Sequence, residues 1–302
     1  MATKQRSRSG RAHSSRSRER VQRHVAPVLD PNWNNPYAPS TAERHDHERA
    51  VRSFALRRRL PQSLIIAVVV VALVAGVVVV PWLPAVGVVV ALVYAWDLRR
   101  AVSTFAERGN TLGAAMLSTF APGGNPTERL RLVTVLDRLA ATFGVDHVSA
   151  FIVSDHGYNA ALVPDGEKYS LFVTSAVMQD FELIELEGVV AHCLARQRLG
   201  LLEREALSAV TSLSDPARRD LAGPALTYRA DEVAAASIRY PLGLAGALRK
   251  CARQQLAPDS FFASPTYNQW RWVFFNPWSD RTTSDLSDLD DPELRARALE
   301  EW

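Results

Sequence analysis

The stretch "ELEGVVAHCLARQRLG", Glu185 to Gly200, sets the chemical question. His192 stands four residues before Arg196, and Cys193 follows it directly. Positions i and i+4 share one face of a helix. With histidine at both and glutamate after the first, such a face binds zinc, and the carboxylate takes a proton from the metal's water. Only the first histidine is present here. Cys193 stands at the base position, where a thiol does not replace a positioned carboxylate. Arg196 stands at the second imidazole position. A guanidinium offers no lone pair and keeps its charge, so it repels a dication.

Other chemistries are open from the same residues. His192 and Cys193 are both good ligand types, but neighbours on a helix point about 100° apart and rarely share one ion. The same geometry weighs against a Cys193–His192 nucleophile pair, which needs hydrogen-bond reach. A rearranged metal site would draw carboxylates from Glu203, Glu205, Asp231 or Glu232. His147 and His156 lie near strand ends and read as solvated or hydrogen-bonded histidines rather than ligands. Cys193 and Cys251 are the two cysteines of the chain, too few for a disulfide framework, and a reducing compartment is the simpler reading. No nucleotide-binding loop or cysteine cluster is visible.

Several elements must position these residues. A helix is expected from about Ile184 to Leu199, stopped by Gly200, although Ile184 is a poor cap. "HVSAFIVSD" (147–155) and "YSLFVTSA" (169–176) read as strands separated by the turn-rich "PDGEK". Upstream, Asn125-Pro126-Thr127-Glu128 opens a helix well, and Leu130, Val133, Leu136 and Leu139 form its apolar stripe up to Gly144. Further helices are expected over 225–238 and 242–255. The aromatic segment "FFASPTYNQWRWVFFNPW" (261–278) interleaves only Arg271, so packing over the domain suits it better than stacking on nucleic acid.

The N-terminal part differs in kind. Residues 1–60 carry fourteen Lys/Arg against five Asp/Glu, which leaves a net −6 for the rest of a +3 chain. The segment is rich in Ser, Arg and turn formers and is expected to be disordered. It reads either as a solvated tail or as an arm for anionic lipid or nucleic acid. Next come 34 uncharged residues, Ser63 to Trp96. A single straight span needs about 20, so this run is too long for one. Pro81-Trp82-Leu83-Pro84 breaks it, and a hairpin of two short helices, roughly 63–80 and 84–98, is expected. Arg57–Arg59 before it and Arg99–Arg100 after it place both ends on the cytoplasmic side. A buried core hairpin is the competing reading, against which the run shows no polar face.

The order of these parts resembles the HtpX-like membrane zinc metallopeptidases. "NAALVPDGEKYSLFVTSAVMQ" (159–179) is similar to that family's edge-strand segment, and "ELEGVVAH" to the start of its metal helix. "YRADEVAAASIRYPLGLAGALRK" (228–250) and "DPELRARALEE" (291–301) resemble its downstream segments. The resemblance spans roughly residues 60–302. A second membrane hairpin common in the family is missing, since residues 201–223 are too polar to span.

The resemblance implies further roles. The family's third-ligand glutamate falls at Thr227, and its supporting aspartate is retained as Asp231. Arg196 would pair with Asp231, or with another carboxylate such as Glu187, and replace the cross-link that zinc provides. A plain surface arginine is the alternative. Asn159, Ala160, Val173, Thr174 and Ser175 match the strand that binds an extended peptide in such enzymes, so β-augmentation without cleavage is expected; filling a core is the alternative.

These readings combine into an α+β fold. A mainly helical zincin-like domain with a small sheet follows an N-terminal transmembrane helical hairpin. The expected boundaries are a disordered basic arm (1–60), the hairpin (61–100), a connector (101–126), the HtpX-like domain (127–279) and an acidic tail with a short helix (280–302). The expected protein is a plasma-membrane pseudopeptidase with its arm and main domain cytoplasmic, binding a membrane client or peptide. No cofactor and no specific nucleic acid are expected. The alternatives are an active zinc metalloendopeptidase with atypical ligands, and a membrane scaffold whose arm binds anionic lipid or nucleic acid.

Overall fold

The structure, a computed structural model, describes residues 35–76, 80–223, 226–277 and 291–302. Most of the expected arm (1–34), Trp278 and the acidic stretch before Asp291 lie outside the described residues.

Ser40 starts the first helix, α1 (Thr41–Ala75). Its hydroxyl accepts the Glu43 amide, and the Glu43 carboxylate accepts the Ser40 amide, a reciprocal cap. Residues 41–60 are therefore helical, which corrects the expectation of disorder up to residue 60. The basic composition there masks an apolar contact: Val51 and Phe54 are buried against Leu207 and Leu221. The second helix, α2 (Leu83–Arg108), opens on Pro84 in its first turn. Gly87 lies against Leu73 and Val74, and Ser63 Oγ meets Tyr94 Oη at 2.8 Å, so α1 and α2 run antiparallel. Among the described residues one helix, Thr41–Ala75, is long and apolar enough to cross a membrane. The expected connector is itself helical: α2 runs into a short turn of 3₁₀ helix and then α3 (Leu112–Thr119).

The next helix, α4 (Pro126–Phe143), has the cap expected of it, with Asn125 and Glu128 exchanging side-chain-to-backbone bonds. Gly144 ends it at φ 63°, a left-handed conformation that costs glycine nothing. Its buried stripe is Leu132, Val135, Leu136, Leu139 and Phe143. Leu130 and Val133, expected on that stripe, are exposed. The 3.6-residue period was correct, and its phase was off by about one residue.

A three-stranded sheet follows, formed by β1 (Val148–Val153), β2 (Ala160–Asp165) and β3 (Lys168–Thr174) in the order β1-β3-β2. β3 is central, parallel to β1 and antiparallel to β2. After α5 (Ser175–Asp180), the chain is helical: α6 (Leu183–Arg198), α7 (Leu202–Val210), α8 (Asp215–Ala222), α9 (Leu226–Ile238), α10 (Pro241–Arg253), α11 (Pro265–Trp270) and α12 (Pro292–Glu300). Among the described residues the chain is thus mainly helical with one small sheet.

The helix that carries the chemical question, α6, starts at Glu182. Its side chain and that of Glu185 form the reciprocal cap, which answers the weakness of Ile184 as a start. α6 crosses α10 so closely that a Cβ on Gly188 would stand 2.8 Å from Leu244 Cα. Any side chain at 188 would force the two helices apart. α6 also packs on α4 and α9 within the main apolar cluster, which buries Val189, Val190, Cys193 and Leu194.

Candidate functional site

Every motif position is sealed from water. His192 is 0%, Arg196 2%, Thr227 3% and Asp231 2% exposed, so no substrate reaches them in this conformation.

Packing of α6 on α9 sets His192 Nδ1 2.7 Å from Asp231 Oδ1. Asp231 also accepts two bonds from Arg295 of α12, Nε to Oδ2 at 2.6 Å and Nη2 to Oδ1 at 2.9 Å. Burial opposes the Asp231 charge, but Arg295 and His192 outweigh it and hold the carboxyl below its usual range. Burial pushes His192 down to about 4, against the pull of Asp231, so its imidazole is neutral at neutral pH. Beside an ionised Asp231, its proton belongs on Nδ1. Among the described residues Nε2 is buried without a hydrogen-bond partner, and the ring stands edge-on to Phe275 at 5.1 Å.

Arg196 is buried, not a surface arginine. The carboxylate it meets is Glu205 of α7, which corrects the expected pairing with Asp231 or Glu187. Asp231 is occupied by Arg295 and His192, and Glu187 pairs with Arg138 on α4. The Arg196 guanidinium also donates to the main-chain oxygens of Trp272, Val273 (2.8 Å) and Phe274 (3.0 Å). One cation thus binds α6 to α7 and to the aromatic segment.

That segment takes the place expected for a peptide. The outer edge of β2 is already paired: Phe274 bridges Ala161, and the Phe275 amide donates to Ala160 O at 2.7 Å. Asn159 continues the pairing with its side chain, Nδ2 donating to Asn276 O at 2.8 Å and Oδ1 accepting the Asn276 amide at 3.0 Å. Val173 and Thr174 lie on the central strand β3, and Ser175 begins α5. The expected peptide-binding edge is therefore filled by residues 274–276 of the chain itself. The aromatic segment packs over the domain, with Phe262, Tyr267, Trp270, Trp272, Phe274 and Phe275 buried.

The residues do not fit a zinc ion. His192 Nε2 is one donor with the orientation a metal ligand needs, its other nitrogen held by a carboxylate. The i+4 position presents a guanidinium engaged with Glu205, and the third position presents Thr227. Among the described residues no three His, Cys, Asp or Glu side chains form a ligand group. Burial pushes the Cys193 thiol up to about 12, so it is no nucleophile at neutral pH. Cys251 is raised likewise.

Two residues of this network were not singled out by sequence. Arg295 sits in the short helix of the expected acidic tail. The readable signal was its apolar company at helical spacing, Ala296 and Leu299, both buried. Asn276 carried no signal, since its partner Asn159 is 117 residues away. Compared with known proteins, the chain matches no protein-family model and no curated protein.

Proposed function

We propose that this chain is a membrane-anchored protein, HtpX-like in its order of parts, that works by binding a membrane client or partner rather than by cleaving peptide bonds. One observation carries the reading: a buried arginine, Arg196, stands at the second-imidazole position and is committed to Glu205 and three main-chain oxygens. Breaking those contacts to seat a metal would leave a buried charge unpaired. Proteolysis through His192 therefore has no support from the donor set. The unpartnered Nε2 of His192 is what favours the rival reading, a zinc endopeptidase with atypical ligands.

Anchoring rests on α1 and α2. Leu64, Ile65, Val68 and Val71 on one, and Val88, Val89 and Leu92 on the other, are exposed. Bare apolar surface on both helices suits lipid better than water. In this reading both helices enter the plasma membrane as a hairpin, with the flanking arginines and the main domain on the cytoplasmic side. In this reading the partner is met on the apolar hairpin faces rather than at the β2 edge, which residues 274–276 already occupy at Ala160 and Ala161.

The test pairs two readouts on the full chain. Reconstituted in neutral vesicles, it resists alkaline extraction, and with zinc supplied it cleaves no unfolded-protein substrate. Zinc-dependent cleavage lost in His192→Ala would favour the endopeptidase. Release by alkali would remove the anchor.

A further inference from the structure

The foot of the helical pair holds a feature that neither anchoring nor the buried network uses. The Ser63–Tyr94 bond marks the end of the uncharged run on α1 and nearly so on α2. Below it a cavity of about 560 Å³ lies between α1, α2 and the turn after α7. α1 contributes Arg58, Arg59 and Gln62, α2 contributes Thr104 and Arg108, and the turn contributes Thr211. Among the described residues no carboxylate lines it.

The charge there is unbalanced. Arg57, one residue away, has its counter-ion in Asp220 at 3.3 Å. Arg59 donates to the neutral Gln62 at 2.8 Å. Among the described residues, Arg58 and Arg108 have neither an ion pair nor a side-chain hydrogen bond. Cations gathered around one space repel one another unless an anion enters it. Guanidinium groups bind phosphate oxygens bidentately, and the hydroxyls of Thr104 and Thr211 add donors.

Depth indicates which phosphate. Arg58 and Arg59 precede Ser63 by five and four residues, about 6–8 Å along a helix. The headgroup layer extends about 5–8 Å beyond the hydrocarbon on each side. The α1 side of the cavity, at Arg58, Arg59 and Gln62, thus opens at headgroup depth under apolar helix faces that would carry acyl chains, and Arg108, fourteen residues past Tyr94, forms its deeper end, about 21 Å along α2.

We propose that this cavity binds the anionic headgroup of a glycerophospholipid, with the lipid's tails lying along α1 and α2. The inference rests on the membrane anchoring proposed above.

The experiment uses the full chain in nanodiscs of phosphatidylcholine, with and without phosphatidylglycerol. Co-purified lipid is measured by mass spectrometry and the melting temperature is read alongside. Wild type retains phosphatidylglycerol and melts higher in its presence. Arg58→Gln with Arg108→Gln weakens retention roughly twenty-five-fold, from about fivefold per arginine, and Arg58→Lys with Arg108→Lys, which keeps the charge but loses the bidentate fork, restores only part of it. Both pairs melt like wild type in neutral nanodiscs, which separates lipid binding from folding. Arg99→Gln with Arg100→Gln removes the same charge outside the cavity and leaves retention intact. An equal loss in that control would mean diffuse attraction and overturn the site. Stabilisation by inorganic phosphate equal to that by the lipid would overturn the lipid as occupant. Insertion into neutral nanodiscs without any preference for phosphatidylglycerol sinks this inference alone. Failure to insert at all sinks the anchoring as well.

Discussion

Arg196 and His192 sit four residues apart on α6 and do opposite things with their burial. Arg196 keeps its charge and is compensated by Glu205 and by the oxygens of Trp272, Val273 and Phe274. Arg196→Ala leaves Glu205 uncompensated and is expected to cost about 3–5 kcal/mol, a fall of about 10 °C in melting temperature for a domain of this size. An unchanged melting temperature would mean the guanidinium holds nothing. Arg196→Met with Glu205→Leu should recover part of the loss, since it removes both buried charges together. His192 gives up its charge. Its pKa falls from 6.5 in the unfolded chain to about 4 when folded. Between those values the unfolded state binds the extra proton, so stability is full above pH 6.5 and falls as pH drops toward 4. Unfolding followed from pH 7 to pH 4 should show this acid slope in wild type and a shallower one in His192→Leu. Asp231, also depressed, adds its own loss only at lower pH. Sequence alone showed no histidine four residues after His192 and no glutamate directly after it. It did not show where Arg196 would turn, because Glu205 was one of several acids within reach of α6.

Legibility changes from element to element. Helix starts with a local chemical signature were readable: Asn125-Pro126-Thr127-Glu128 capped α4 as expected. The buried face of α4 was misplaced, because Leu130 and Val133 are apolar yet exposed, and periodicity alone does not say which apolar residues lose. β2 was not read as a strand: "PDGEK" reads as a turn, yet Pro164 and Asp165 pair with β3, and a proline is tolerated where its missing amide faces away from the ladder. Least readable was the pairing of residues 274–276 with β2, a contact between segments more than a hundred residues apart. It has a testable consequence. Asn159→Ala strands the buried amide of Asn276, at about 1–3 kcal/mol for the unsatisfied group, and takes one of two donors from its carbonyl, which Tyr267 Oη still serves. Hydrogen exchange should then speed up at Phe275 and Asn276 well before it does in β3. Uniform acceleration across the sheet would mean that the segment is not an independent clamp on the β2 edge.

The whole molecule joins an apolar pair of helices to a mainly helical domain. Composition announced the first: the long uncharged run and its flanking arginines are visible without any structure. The arm's boundary was misread, because Val51 and Phe54 are sparse apolar residues in a charged stretch, and only their burial on Leu207 and Leu221 reveals a helix. Arg295 was hidden by the acidity around it, although it ties α12 to Asp231 of α9. Arg295→Ala should destabilise the chain about as much as Arg196→Ala, since it also leaves a buried carboxylate uncompensated. Melting curves of the two variants side by side check this, and a silent Arg295→Ala would reduce α12 to a tail. The central claim is that the positions around His192 form a structural lock rather than a metal centre. Its most direct test is the zinc content of the detergent-purified full chain by elemental mass spectrometry, beside His192→Ala. The lock predicts no stoichiometric zinc in either protein. Stoichiometric zinc in wild type, lost in His192→Ala, would contradict it.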